Sequence, residues 1–233
     1  MTLRDCARAC ALLAALALGA CAHTDAKMAQ GAVGQINWSG NVKRVVLMDP
    51  NVQLSELEAG GSLTPRADWT DTAKGFIASD IRNALASRNV ELVEAGTLTD
   101  PHLAQLAKLH DAVGNAIIVH LYYGVKLPTK GSALDYTLGP GVADLRNKYG
   151  ADYALFTYVA DSYTTAGRAF LMILGAAAGI GIQGGQQVGF CSLVDLRTGN
   201  IVWFNRLVSQ SGDLRTAKPA QDTVNNLLEG LPL

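Results

Sequence analysis

The feature that most limits the fold of this 233-residue chain is a pair of apolar runs near its carboxyl end. The runs are VGFCSLVDL (188–196) and IVWFNRLVSQ (201–210), and the sequence RTGN joins them. Both runs are rich in β-branched and aromatic side chains, and Gly199 in the connection tolerates the positive φ that such a turn commonly needs. The pattern predicts an antiparallel hairpin, so the chain must build a sheet whose apolar face is covered.

Helical and strand patterns alternate along the chain before and after this hairpin. Helices are predicted at 67–88, 101–121, 142–149 and 216–228. Strands are predicted at 43–49, 90–93 and 153–163. Residues 51–66 and 122–140 are predicted to be loops, because polar residues, glycine and proline accumulate there. This order predicts an α/β fold, a single domain in which helices pack on a mixed sheet of four or five strands.

The first twenty residues have the pattern of a secretory signal peptide. Arg4 and Arg8 precede an apolar run at 9–18 that is shorter than the roughly 20 residues a membrane-spanning helix needs. The next residues resemble the lipobox of bacterial lipoproteins: Leu18, Gly19, Ala20 and Cys21. The resemblance implies cleavage after residue 20 and acylation of Cys21, with palmitate among the anchoring chains. Since Ala22 rather than aspartate follows, it also implies transfer to the outer membrane, with the domain facing the periplasm.

Cysteine usage and charge limit how the mature chain is held together and what it binds. Cys6 and Cys10 lie in the signal peptide, so Cys191 is the only thiol left besides the acylated one, and no internal disulfide can form. A net charge of −1 gives no basic surface for nucleic acid. Residues 21–42 are small and polar without periodicity, and we expect a lipidated flexible tether there. Residues 43–233 then form the folded domain.

Two short motifs of this domain resemble a group of periplasmic domains. The first motif is Gly150, Ala151, Asp152 and Tyr153, ahead of a predicted strand. The second is Asp195, Thr198, Gly199 and Trp203, in the predicted hairpin. With the amphipathic helix that follows, they resemble the CsgG/TolB-N/LpoB-like group, which includes small proteobacterial lipoproteins. The resemblance covers about 43–228 and implies envelope assembly, secretion or activation of a partner rather than catalysis.

An uncharged run at 169–194, with FLMILGAAAGIGIQGG at its centre, interrupts the domain. Its glycines at 179, 181 and 184 match a dinucleotide-binding pattern, but a strand follows them where that motif requires a helix. The apolar residues at 170–178 are too few to cross a bilayer as a helix. The run therefore predicts an apolar, glycine-rich insertion at about 169–187, with a short helix at 169–178.

The first turns of this predicted helix form the candidate interaction surface. Its residues are Phe170, Leu171, Met172, Ile173 and Leu174. Three contacts remain open for them: the domain itself, a second copy or another protein, and the lipid surface beside the anchor. A hairpin contributed to a shared transmembrane barrel, as in the secretion channels that the resemblance indicates, is a further alternative, although the run alternates poorly.

No group of side chains has the sequence pattern of a catalytic or metal site. His102, His110 and His120 are spaced eight and ten apart, without the helical offsets that a metal site would use. The motif G-x-S-x-G is absent, and Cys191 is a lone thiol in an apolar strand with no neighbouring base. We expect neither enzymatic activity nor a cofactor.

The sequence thus predicts a non-enzymatic outer-membrane lipoprotein that presents a protein-binding domain in the periplasm for envelope assembly or maintenance. Its expected partners are the membrane, through the lipid at Cys21, and an envelope protein or a second copy, but no nucleic acid. An oligomeric secretion or export component of CsgG-like type is the alternative. A hydrolase without a recognisable motif is more distant, and it would require His110 or His120 beside a carboxylate and a nucleophile in one pocket.

Overall fold

The computed structural model describes residues 23–29, 36–39, 43–88, 90–210 and 212–233. Within these ranges the chain forms a mixed sheet of eight strands with helices packed against it. The predicted α/β class, with helices on a mixed sheet in one domain, is confirmed. The sheet is larger than the four or five strands expected. The signal peptide and the lipobox, including Cys21, lie outside the described residues.

The described part of the chain contains eight strands and five α-helices. The strands are β1 (His23–Met28), β2 (Arg44–Leu47), β3 (Asn51–Leu57), β4 (Leu63–Pro65), β5 (Glu91–Glu94), β6 (Tyr153–Thr164), β7 (Gln187–Asp195) and β8 (Ile201–Ser209). The helices are α1 (Ala67–Ala86), α2 (Pro101–Ile117), α3 (Ala143–Tyr149), α4 (Ala166–Ala177) and α5 (Ala217–Leu227). A π-helical turn (Ile118–Tyr122) extends α2, and a short 3-10 turn (Pro140–Val142) precedes α3.

The strands lie in the order β1-β8-β7-β6-β2-β5. Strand β2 pairs in parallel with the first part of β6, and β3 pairs in parallel with the rest of it. Strand β4 is antiparallel to β3 on the side away from β6. The hairpin of β7 and β8 is antiparallel to β6 and to β1, so β6 ends where β7 begins. We call this end of the sheet the upper end. Strand β1 begins there too, because its first residue, His23, pairs with Val208 next to the last residue of β8.

Side chains on the two faces of the sheet build two separate cores. Val45 and Leu47 point into the first core, which α1 and α5 cover, whereas Val46 and Met48 point into the second, which α2 and α3 cover. Successive residues of a strand face opposite sides, so an uninterrupted apolar run such as RVVLM fits a strand that is buried on both faces. The domain is therefore a sheet between two layers of helices.

Residues 51–66, predicted to be a loop, instead contain β3 and β4. Val52 and Leu54 are buried in the first core, with the exposed Gln53 between them, and Leu57 is buried at the end of β3. The glycines and polar residues of the connection between β3 and β4 obscured this alternation in the sequence.

The described part of the expected tether differs from the prediction as well. Residues 23–28 form β1 on β8, and Trp38 packs edge-on against Tyr153, with ring centroids 5.0 Å apart. The backbone N–H of Ser39 donates to Asp152 Oδ2 over 2.8 Å. The sequence HTDAKM shows no apolar alternation because an edge strand is held mainly by backbone hydrogen bonds to its neighbour.

Candidate interaction surface

Helix α4 stands at the upper end of the sheet, and its first turn is fixed to β3. The backbone N–H and the hydroxyl of Thr165 both donate to the carbonyl of Leu57, each over 3.1 Å. The same hydroxyl accepts from the N–H of Arg168, so Thr165 caps the helix. Arg168 Nε in turn donates to the carbonyl of Gln183 over 2.9 Å, which ties the helix to the segment that returns to β7.

The chain reverses direction tightly after α4. The N–H of Ile180 donates to the carbonyl of Gly175 over 2.7 Å, and Gly179 adopts a φ of 75°. A Cβ at Gly175 would lie 2.9 Å from the carbonyl oxygen of Ile180, so only glycine permits this approach. The turn brings Ile180 back beside the helix.

Large apolar side chains of α4 face solvent. The exposed fraction is 59 % for Phe170 and 68 % for Ile173, and Leu171, Leu174 and Ile180 are exposed as well. At about 100° per residue, those on the helix span an arc of about 160°. We call Phe170, Leu171, Ile173, Leu174 and Ile180 the apolar surface. Four of the five predicted interaction residues belong to it, so none of these four side chains is buried in its own domain.

Met172 is the predicted surface residue that turns inward. It lies on the side of α4 that faces the domain and is partly buried, and its Cε lies 3.1 Å from the position of a Cβ on Gly184. None of the described helices combines the length and the apolar character that crossing a bilayer would need. The insertion is therefore a short, rigidly held apolar projection.

A polar cleft of about 490 Å³ lies beneath this projection. At its floor, the buried Asp161 carboxylate accepts hydrogen bonds from Tyr163 Oη over 2.6 Å and from Gln187 Nε2 over 3.1 Å. Thr223 Oγ1 donates to the amide oxygen of Gln187. Burial raises the pKa of the Asp161 carboxyl, and the two donors offset part of that effect. These contacts link β6, β7 and α5, and they explain Asp161 as a structural carboxylate.

His110 lies in the second core beside Ser192, a contact that the sequence did not predict. His110 Nε2 lies 2.5 Å from Ser192 Oγ, and His110 Nδ1 lies 3.4 Å from a carboxylate oxygen of Asp111. Burial lowers the pKa of the histidine, and its ring stacks on Phe156 at 4.6 Å.

The distances within this group resemble those of a nucleophile, a base and an acid, but its surroundings differ from those of an active site. Ser192 is fully buried in β7, so a substrate cannot reach its hydroxyl. The Asp111 carboxylate also accepts a hydrogen bond of 2.7 Å from the side chain of Asn51. His110 and Asp111 line a cleft of about 400 Å³, but Ser192 does not, so the group meets the distance condition for the hydrolase alternative without placing all three side chains in one pocket.

A second exposed surface lies beside β1, at the end of the π-helical turn. Tyr122 Oη donates to the carbonyl of Asp25 over 2.7 Å, and the Arg206 guanidinium lies 4.6 Å from the Tyr122 ring centroid and 5.9 Å from that of Tyr123. Tyr123 is 65 % exposed, and Val125 is exposed next to it. We call Tyr122, Tyr123, Val125 and Arg206 the tyrosine surface. Among the described residues, β1 beside it pairs with β8 alone, so its outer edge is open.

The sequence analysis did not predict the contact of Arg206 with these tyrosines, because the two segments meet only in the fold. The three histidines of the domain also lie apart: His102 contacts Asp144 and His120 contacts the carbonyl of Val125. In the part of the chain that the structure describes, no three side chains of His, Cys, Asp or Glu are placed to hold a metal ion.

Comparison with known proteins assigns no family. No protein-family model and no curated protein matches this chain. Two solved structures of the PelC dodecamer from Paraburkholderia phytofirmans, in different crystal forms, superpose with a TM-score of 0.41 and 12 % identity. The match covers 89 % of this chain and 95 % or 96 % of those chains. A likeness of this size assigns neither family nor function.

Proposed function

We propose that this chain is a non-enzymatic outer-membrane lipoprotein whose periplasmic domain binds an envelope protein during envelope assembly or maintenance. The observation that carries the proposal is that the domain exposes two separate apolar surfaces, one on α4 and one at the tyrosines beside β1. Large exposed apolar side chains that lie together on a folded domain commonly mark contact sites. In the group around His110, the hydroxyl of Ser192 is buried away from solvent, which favours binding over catalysis.

The tyrosine surface is the proposed site for the protein partner. Tyrosine and arginine are enriched at protein interfaces, because they bury much area at a low cost in side-chain entropy. Here the Arg206 guanidinium already stacks on Tyr122 and approaches Tyr123, so the group is ordered before binding. The open edge of β1 lies beside it, and a partner strand could pair there while its side chains contact the tyrosines.

The lipid at Cys21 would hold this surface close to the membrane. Only Ala22 separates Cys21 from the first residue of β1, so the domain would be held directly at its anchor instead of on a long tether. Confinement to a thin layer raises the effective concentration of any partner that shares the membrane.

Site-specific photocrosslinking in a Gram-negative host tests both parts of this proposal. A photoreactive amino acid replaces Tyr123 in one variant and Lys218, an exposed residue of α5, in the matched control. We expect one discrete protein adduct at position 123 and none at 218. We also expect Cys21→Ser to release the chain from the outer membrane and to abolish the adduct. Equal labelling at both positions, or unchanged membrane fractionation of Cys21→Ser, would refute the proposal.

Self-assembly into an export component is the second candidate function. The open edge of β1 favours it, because two copies could pair edge to edge. In the same experiment, an adduct with twice the mass of the chain would support this candidate in place of a different protein partner. Light scattering of the purified Cys21→Ser chain would then give a defined oligomer.

A further inference from the structure

We propose that the apolar surface of α4 inserts into the outer membrane beside the lipid anchor, so that the domain rests on the bilayer in one orientation. The inference rests on the acylation of Cys21 that belongs to the proposed function. It commits the apolar surface to a single occupant, the boundary between the lipid headgroups and the acyl chains.

The first argument is that the chain start and α4 lie at the same end of the sheet. His23 pairs with Val208, Val208 with Val188, and Val188 with Ala160. Ala160 lies four residues before the end of β6, and α4 begins directly after that strand. The first residue of β1 and the apolar surface therefore lie at the same end of the sheet.

Covalent geometry limits the distance between the lipid and α4. Strand β1 is three strand spacings from β6, which is about 14 Å across the sheet. Cys21 precedes His23 by two residues, so its Cα lies at most about 7 Å from that of His23. A lipid on Cys21 would thus bring the bilayer within reach of the upper end without any rearrangement of the domain.

The chemistry of the apolar surface fits lipid better than protein. No charged residue occurs at 169–194, and the charged residue within α4, Arg168, bonds backbone carbonyls of Gln183 and Glu58 at the base of the helix. Protein interfaces usually have a polar rim around their apolar centre, which the outer arc of α4 lacks. Helices that lie in the membrane interface bury an apolar face to a depth of about 5–10 Å, which is within reach of the side chains on one helix.

The projection is rigid enough to transmit an orientation to the domain. Gly185 N–H donates to Thr164 Oγ1 over 2.8 Å, and Thr165 bonds Leu57 at the start of the helix. Both ends of the insertion are thus fixed to the top of β6 and β3. The lipid and α4 would attach the domain to the bilayer at two points. The upper end of the sheet would then face the membrane, and the tyrosine surface would lie on the side of the domain.

Depth-dependent fluorescence quenching on the acylated full chain tests this inference. The chain is reconstituted in vesicles of phosphatidylethanolamine and phosphatidylglycerol, with an NBD label on Ile173→Cys or, as the matched control, on Lys218→Cys. Cys191 is buried and Cys21 carries lipid, so the label is directed to the new thiol. We expect nitroxide groups on the upper acyl chains to quench the label at position 173 and not at 218. Leu174→Asp should abolish quenching at 173 while circular dichroism and vesicle flotation stay unchanged.

The outcomes separate the inference from the function on which it rests. If the acylated chain floats with the vesicles while the label at 173 is not quenched, the inference is wrong and the proposed function stands. Concentration-dependent enhancement of that label without lipid quenching would instead identify a second copy on α4, and it would also overturn the inference. Mass spectrometry that finds no acyl chain on Cys21 would refute both.

Discussion

Replacement of Gly114 by alanine should destabilise the domain, because this glycine lets α2 lie against the second core. A Cβ at position 114 would lie 2.2 Å from Phe190 Cε2 and 2.4 Å from Cζ, so the ring would have to move by about 1 Å to restore ordinary contact. Phe190 is not free to do so: it is buried and stacks on Tyr158 at 5.0 Å and on Phe204 at 5.4 Å.

The magnitude follows from two opposing effects. Overpacking a filled core costs about 1–3 kcal/mol, and so deep an overlap places Gly114→Ala in the upper part of that range. Replacing glycine by alanine inside a helix stabilises the helix by about 1 kcal/mol. We expect a net loss of about 1–2 kcal/mol in the free energy of unfolding. Gly75→Ala in α1 is the matched control, because no atom lies within 4 Å of its Cβ position, and it should gain about 0.5–1 kcal/mol.

Urea unfolding of the Cys21→Ser chain measures both effects. The transition midpoint should fall for Gly114→Ala and rise for Gly75→Ala, with the slope of each transition unchanged. Phe190→Leu should recover part of the loss in the Gly114→Ala background, since the smaller side chain makes room for the methyl group. If the two alanine variants were equally stable, α2 would not lie against Phe190 and the described second core would be incorrect.

Three further outcomes test the apolar surface and the buried ionisable groups. Leu171→Gln combined with Ile173→Gln should change the free energy of unfolding by no more than about 0.5 kcal/mol in urea, because both side chains are exposed. Burial lowers the pKa of His110, so the unfolded chain binds the proton more readily than the folded domain. The free energy of unfolding should therefore decrease as the pH falls below the ordinary histidine pKa of 6.5, by at most about 1.4 kcal/mol per pH unit. His110→Gln should flatten that slope in unfolding measured from pH 7 to 5. Burial raises the pKa of the Asp161 carboxyl above its ordinary value of 3.8. The protonated side chain therefore contributes its full stability below pH 3.8, and this contribution is lost as the pH rises towards the pKa in the folded domain. The free energy of unfolding of Asp161→Asn should therefore increase relative to that of the parent over this pH range. A difference between the two that stays constant with pH would refute the raised pKa.

Local patterns predicted the elements that carry their own signal. Ala73, Ile77, Ile81 and Leu85 form the buried stripe of α1, as steps of three and four imply. Asp100 caps α2 by accepting from the N–H of His102, and Pro101 follows it at the first helical position. The hairpin of β7 and β8 and the short apolar helix α4 were predicted for the same reason.

The remaining features depend on contacts between distant segments. Strand β1 has no apolar alternation, since its pairing with β8 uses backbone groups that every residue possesses. The contact of His110 with Ser192, and that of Arg206 with Tyr123, join residues more than eighty positions apart. The inward turn of Met172 follows from the helical period, but only once the side of α4 that faces the domain is known.

If the chain is exported as proposed, the pairing of β1 with β8 also sets the order in which the sheet can form. A chain that crosses the inner membrane with its amino end first delivers β1 at the start of translocation and β8 near its end. The neighbour of β1 therefore arrives only after nearly the whole domain has crossed, and such a distant pairing forms slowly. Closure of the sheet at β1 would thus report that translocation is complete. A chain interrupted before β8 would keep the first strand unpaired at the membrane, where quality-control proteases could recognise it.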